Sequence, residues 1–233
     1  MASWKTCAAM SVAAWMMMTT TPVEAAWHRA SSPHFIIYSE RDPASIRQFA
    51  AKLERFDKAV RLVRGMRDDP VGDGNRLTVF VVANESAVRK LVNDKSGFIA
   101  GFYIPSAAGS TALVPRSAGS SSEWELGAET IFFHEYAHHL MMQELSSPAP
   151  EWLVEGFAEF MSTVQFDKDG SVGLGLAPKH RAYGLHESDP LPIEQLLSGN
   201  YSKISADQRE SIYGRGWLLT HFLTFDRARA RAS

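Results

Sequence analysis

The sequence predicts an α+β protein, and three observations carry that reading. Runs rich in β-branched and aromatic residues, read as strands at 34–39, 77–82, 97–104 and 111–114, fall in the first half. One helical period interrupts them, with Ile46, Phe49, Leu53, Phe56, Val60 and Val63 recurring at spacings of three and four. From about residue 123 onward, helix-length segments dominate: 123–145, 151–161 and 207–225. The expected organisation is a single domain over 27–233, with a sheet-containing lobe over 27–122 and a mainly helical lobe over 123–233. A chain of 233 residues is long enough to bury a sizeable core.

Residues 1–26 read as an export signal. Lys5 supplies the positive start, residues 7–18 are almost wholly apolar, and Thr19-Thr20-Thr21-Pro22 breaks the run. Val23-Glu24-Ala25 places small residues for cleavage after Ala25 or Ala26. The apolar run is short of the roughly 20 residues a spanning helix needs. The mature protein is therefore expected to be secreted or periplasmic, in the cell envelope, with no stable membrane span. Cleavage would remove Cys7, the only cysteine, so any metal site must use His and carboxylates. With a net charge of −2 and no long Lys/Arg run, the composition argues against a nucleic-acid partner.

In the mature chain, 34–39 is a first strand, and Asp42-Pro43 opens a helix running to about Met66, with Asp42 as N-cap and Pro43 first inside. Gly72-Asp73-Gly74-Asn75 is a loop before the buried strand 77–82. A short helix is expected over 86–92, then strands 97–104 and 111–114 around Pro105–Gly109. Ser122 with Glu125 has capping-box spacing and should open the helix 123–145. Pro148-Ala149-Pro150 separates it from a helix starting near Glu151. Asp167-Lys168-Asp169-Gly170 reads as a turn between 164–167 and 171–174 rather than a calcium loop, because the later ligands are missing. Pro190-Leu191-Pro192 precedes a short helix, and 207–225 forms the last one.

His134-Glu135-Tyr136-Ala137-His138 is the stretch that points to chemistry. With 8 His in the chain, roughly 0.02 occurrences of His-Glu-x-x-His are expected by chance. On a helix the two imidazoles lie one turn apart on one face and can both reach a Zn²⁺ ion. Glu135, one step round, is placed to act as general base for a water on that metal. A catalytic zinc takes a third protein ligand and keeps one position open. Glu155, separated from His138 by 16 residues and on the next helix, is the best candidate. Gly156 and Ala158 beside it are small, as a close helix approach requires. Glu159 shares the Glu155 face and is either a rival ligand or, as favoured here, the carboxylate that orients His134. His139 points about 100° from His138 and is not expected to ligate. Met141 and Met142 read as core.

His134-Glu-Tyr-Ala-His138 followed by Trp152-Leu-Val-Glu155-Gly-Phe-Ala-Glu159-Phe resembles the gluzincin metallopeptidases. It is similar above all to the bacterial peptidase-MA-like domains, which are exported and carry this pair of helices. The resemblance spans about residues 123–225. It implies a zincin-like fold with a small mixed sheet, Zn²⁺ held by His134, His138 and Glu155, Glu135 as base, and Glu159 supporting His134. Aminopeptidase-N-like gluzincins also carry a Tyr-x-x-Gly segment whose Tyr stabilises the oxyanion, which Tyr213-Gly214-Arg215-Gly216 matches. Arg215 and His221 are weaker candidates for substrate contact. The Gly-x-Met-Glu-Asn segment that grips a free amine is absent from this sequence, so aminopeptidase specificity is not implied. Relatives usually continue with more helix, so 226–233 reads as a truncated or frame-shifted end.

The function expected is therefore that of an exported zinc peptidase acting on peptide or protein substrates. An extended substrate would pair with the edge of strand 97–104 or 111–114. The alternatives are a non-catalytic envelope binding module on the same fold and a zinc hydrolase of a non-peptide amide.

Overall fold

A computed structural model describes residues 26–95, 99–117, 127–144, 147–186 and 189–226. Residues 1–25 of the expected export signal 1–26, and the capping box at Ser122 and Glu125, lie outside the described residues.

The mixed sheet has five strands in the order β1-β2-β3-β5-β4: β1 (His28–Ser31), β2 (Phe35–Ser39), β3 (Leu77–Asn84), β4 (Phe102–Ile104) and β5 (Thr111–Ser117). β2, β3 and β5 run parallel, and β1 and β4 are antiparallel to their neighbours at the two edges. Buried and half-buried positions alternate along the central strands, so one face packs fully into the core and the other is only partly covered.

Parallel neighbours need a long connection, and α1 (Pro43–Arg64) supplies it between β2 and β3. Asp42 caps it by accepting from the Ala44 and Ser45 amides, and Gly65, left-handed at φ 64°, ends it. Its buried face carries Ile46, Leu53, Phe56 and Val60. A short helix, α2 (Glu85–Leu91), follows β3.

The second half is helical: α3 (Ala128–Glu144), α4 (Glu151–Ser162), α5 (Ala182–His186), α6 (Ile193–Ser198) and α7 (Ala206–Phe225), with a minimal hairpin of β6 (Gln165–Phe166) and β7 (Val172–Gly173). One core joins both halves. Phe56 of α1 stacks on Phe133 of α3 at 4.1 Å, and the Phe132 and Tyr136 rings of α3 lie against Phe35 of β2. α3 is thus a central helix. A smaller cluster of Trp152, Leu191, Leu196 and Ile212 ties α4, α6 and α7 together. No described helix is long and apolar enough to cross a membrane.

Three expectations are corrected. β1 pairs with β2 before the first expected strand, because His28–Ser31 supplies a short, half-exposed edge with little apolar pattern. The strand expected over 97–104 is only Phe102–Ile104; Ile99–Gly101 is irregular, and 96–98 lies outside the described residues. A Cβ at Gly101 would come within 2.4 Å of Ile131 Cγ2, so the chain there presses on α3 instead of extending the ladder. Finally, 111–114 is no edge: β5 lies between β3 and β4, which leaves β4 as the sheet edge nearest α3.

Candidate metal and active site

α3 and α4 pack side by side and bring three side chains together. His134 Nε2 and His138 Nε2 lie 3.1 Å apart, and Glu155 Oε2 lies 3.3 Å from the first and 3.5 Å from the second. The edges are nearly equal. Three corners of a tetrahedron around Zn²⁺ at about 2.0–2.1 Å stand about 3.3–3.4 Å apart. The donor set and its spacing therefore fit such an ion, and they do so with the side chains only 14–19% exposed.

The imidazoles and the carboxylate of this triangle shift one another's protonation in opposite directions. Burial would lower the His134 pKa, but hydrogen bonding to Glu155 and the charges of Glu159 and Glu155 raise it to about 9. Burial would raise Glu155, but the two imidazoles hold it down at about 2. Glu155 is thus ionised and ready to ligate at neutral pH.

Glu159, 1% exposed, lies behind His134 with Oε1 3.4 Å from Nδ1. It faces the ring nitrogen opposite the one in the triangle. Two residues from the 3₁₀ turn Lys179–Arg181 complete its surroundings. Arg181 Nε and a terminal guanidinium nitrogen donate to Glu159 Oε1 at 2.8 and 2.7 Å, and His180 Nε2 lies 3.1 Å from Oε2. Against the cost of burial, Arg181, His180 and His134 keep the Glu159 carboxyl ionised and far below its ordinary pKa. Neither His180 nor Arg181 was among the residues expected from the sequence. The only available signal was that a buried carboxylate must be paired, and that does not say by what.

Glu135 lines a cleft of about 170 Å³ together with His134, Gly101, Arg181 and Tyr213. Burial pushes its pKa up, and the nearby His134 and His138 pull it down, with a smaller lowering from the main chain at Tyr103. Tyr213, on α7, has its ring 6.5 Å from that of His134 and lies under the Arg181 guanidinium at 4.4 Å. Burial, then the charge of Glu155, raises its phenol pKa, so it remains a proton-bearing donor.

The remaining expectations sort themselves by contact. His139 is outside the triangle. Its Nδ1 lies 2.9 Å from the Tyr103 phenol, and burial lowers its pKa to about 4. Arg215 donates to the Leu191 carbonyl at 3.0 Å, and His221 packs among Phe160, Trp217 and Phe225, so both serve α7 packing. Gly156 does allow a close helix approach, but to α7: a Cβ there would lie 2.3 Å from the Gly216 carbonyl.

A second group of metal-type ligands, His34, Glu54 and Asp57, sits under α1. Its atoms are already engaged. Arg61 Nε donates to both Asp57 oxygens at 2.8 Å, the Tyr136 hydroxyl donates to Asp57 at 2.6 Å, and His34 Nδ1 lies 2.7 Å from Glu54. A cation there would displace a guanidinium, so this cluster reads as a closed ion-pair network. No family model matches this sequence, and no curated protein matches it either.

Proposed function

We propose that the protein is an exported zinc peptidase of zincin-like fold. The observation that carries the reading is the near-equilateral triangle of His134, His138 and Glu155, with Glu135 beside it in an open cleft. His134, His138 and Glu155 would hold Zn²⁺, and Glu159 would fix the ring of His134. When bound, the ion supplies a Lewis acid that polarises a carbonyl and acidifies water. A purely structural site is normally closed by four protein ligands, and three with an adjoining cleft favour catalysis.

The chain's own groups have separable tasks. Glu135, partly desolvated, takes a proton from the attacking water and returns it to the leaving amine. The Tyr213 phenol donates a hydrogen bond to the oxygen on which negative charge develops. The β4 edge beside the cleft offers its main chain to an extended peptide, which makes a peptide or protein the fitting substrate.

Metal analysis with a peptide-library digest tests the reading. The wild-type chain should hold about one Zn²⁺ and cleave peptides, chelator should stop cleavage, and added zinc should restore it. Glu135→Gln should keep the zinc and lose the cleavage. Zinc binding with no cleavage of any peptide would favour a binding module or a non-peptide amide hydrolase. No zinc uptake would overturn the metal centre itself.

A further inference from the structure

Tyr103 touches α3 at two places one helical turn apart. Its phenol oxygen lies 2.9 Å from His139 Nδ1, and its main-chain amide is turned towards the Glu135 carboxylate, where it helps to lower that group's pKa. Glu135 and His139 are four residues apart and so share a helix face. The phenol end is itself held. Gln143 Nε2 lies 3.0 Å from His139 Nε2, and the phenol lies 3.0 Å from Ser110 Oγ. An amide nitrogen can only donate, which fixes the direction of the chain: Gln143 to His139 Nε2, His139 Nδ1–H to the phenol oxygen, and the phenol proton to Ser110 Oγ.

We infer that Tyr103 is a positioning residue for Glu135, clamped to α3 through His139. β4 has three residues and pairs with β5 only through Phe102–Leu113, Tyr103–Ala112 and Ile104–Thr111. A ladder that short leaves an edge strand free to shift, and displacement of about 1 Å costs a catalytic group much of its effect. The phenol–imidazole contact removes that freedom. At Gly101, just before the strand, a Cβ would come 3.0 Å from Glu135 Cγ and 3.1 Å from its Oε1, so the bare backbone there lies close beside Glu135 and leaves no room for a side chain between them.

The inference rests on the peptidase reading for what Glu135 does, and on the geometry alone for the clamp. Three variants of the full chain separate the two: Tyr103→Phe, His139→Leu and His139→Asn, the last retaining a donor near the Nδ1 position. Hydrogen exchange of the Tyr103 amide, followed by NMR in the metal-free and zinc-loaded protein, reads the clamp directly. Tyr103→Phe and His139→Leu should lower its protection on the order of 10-fold, and His139→Asn should restore it. In peptide cleavage the first two should lose on the order of 10- to 100-fold in kcat, with KM and zinc content within about twofold of wild type. Unchanged protection in His139→Leu would overturn the clamp, as would equal losses in His139→Asn and His139→Leu, which would mark a packing effect. If the wild type cleaves nothing, the peptidase reading falls, and amide exchange still decides the clamp.

Discussion

Gly156 of α4 and Gly216 of α7 meet backbone to backbone: a Cβ on Gly156 would lie 2.3 Å from the Gly216 carbonyl carbon and oxygen. A Cβ on Gly216 would lie 2.5 Å from the Trp152 carbonyl oxygen. Backbone cannot move aside as a flexible side chain can, so this contact sets the separation of the two helices. Glu155 precedes Gly156, and Tyr213 lies one turn before Gly216, so the same contact brings the Tyr213 ring towards the candidate triangle of His134, His138 and Glu155. Gly156→Ala should therefore destabilise by about 2–3 kcal/mol, the cost of forcing apart a packed contact, and also lower activity. Gly72→Ala, where a Cβ meets nothing within 4 Å, should stay within about 0.5 kcal/mol of wild type. Urea denaturation of the two variants checks both values.

The site was legible where sequence spacing converts directly into geometry. His134, Glu135 and His138 need only a helix, and Glu155 needs only that the next helix return alongside. Glu159 was legible as a carboxylate four residues on. His180 and Arg181 were not, because they arrive from a 3₁₀ turn with no periodic pattern, and a buried carboxylate's partners are chosen in three dimensions. The fold follows the same division. α1 shows its cap and stripe in the sequence, whereas β1 and the brevity of β4 depend on pairing and on the contact of Gly101 with Ile131. The glycines of Tyr213-Gly214-Arg215-Gly216 have a packing reason too: Gly214 faces Gly184 and Leu185 of α5, and Gly216 faces α4.

Glu159 should act on the metal without touching it. It lies 3.4 Å from His134 Nδ1 and is held by Arg181 and His180. Glu159→Gln should weaken zinc affinity by about 10- to 100-fold, measured by competition with a chelating dye. Arg181→Met leaves a buried carboxylate without its strongest partner and should cost about 3–5 kcal/mol in thermal or chemical unfolding.

Tyr213→Phe separates the phenol's hydrogen bond from its packing. The ring keeps its place beneath Arg181, 4.4 Å from the guanidinium carbon. Removal of one donor to a developing oxyanion costs roughly 100- to 1,000-fold in kcat. Zinc content and unfolding midpoint should match wild type, and steady-state cleavage by the two proteins provides the comparison. A loss confined to KM would place the phenol in substrate binding instead.

The His34 network gives the fold a pH dependence away from the candidate metal site. His34 has a raised pKa because its hydrogen bond to Glu54 outweighs the cost of burial, with Asp57 adding to the effect. Asp57 and Asp68 also face the ring, at 3.5 and 3.1 Å, and Arg61 opposes them. A raised folded pKa stabilises fully below the unfolded value of about 6.5 and loses that contribution as pH rises through the folded value. Glu54 runs the other way. Burial alone would raise its pKa, but its hydrogen bonds from His34 lower it, so its contribution is present above about 4.5 and lost as pH falls through the folded value. Both are in force between those limits. The stability difference between wild type and His34→Gln should therefore be greatest near pH 5.5 and shrink by pH 8.5, as urea melts at the two values would report. A difference that is flat or grows over this range would mean that His34 is neutral in the folded protein and that Glu54 is held by its other donors.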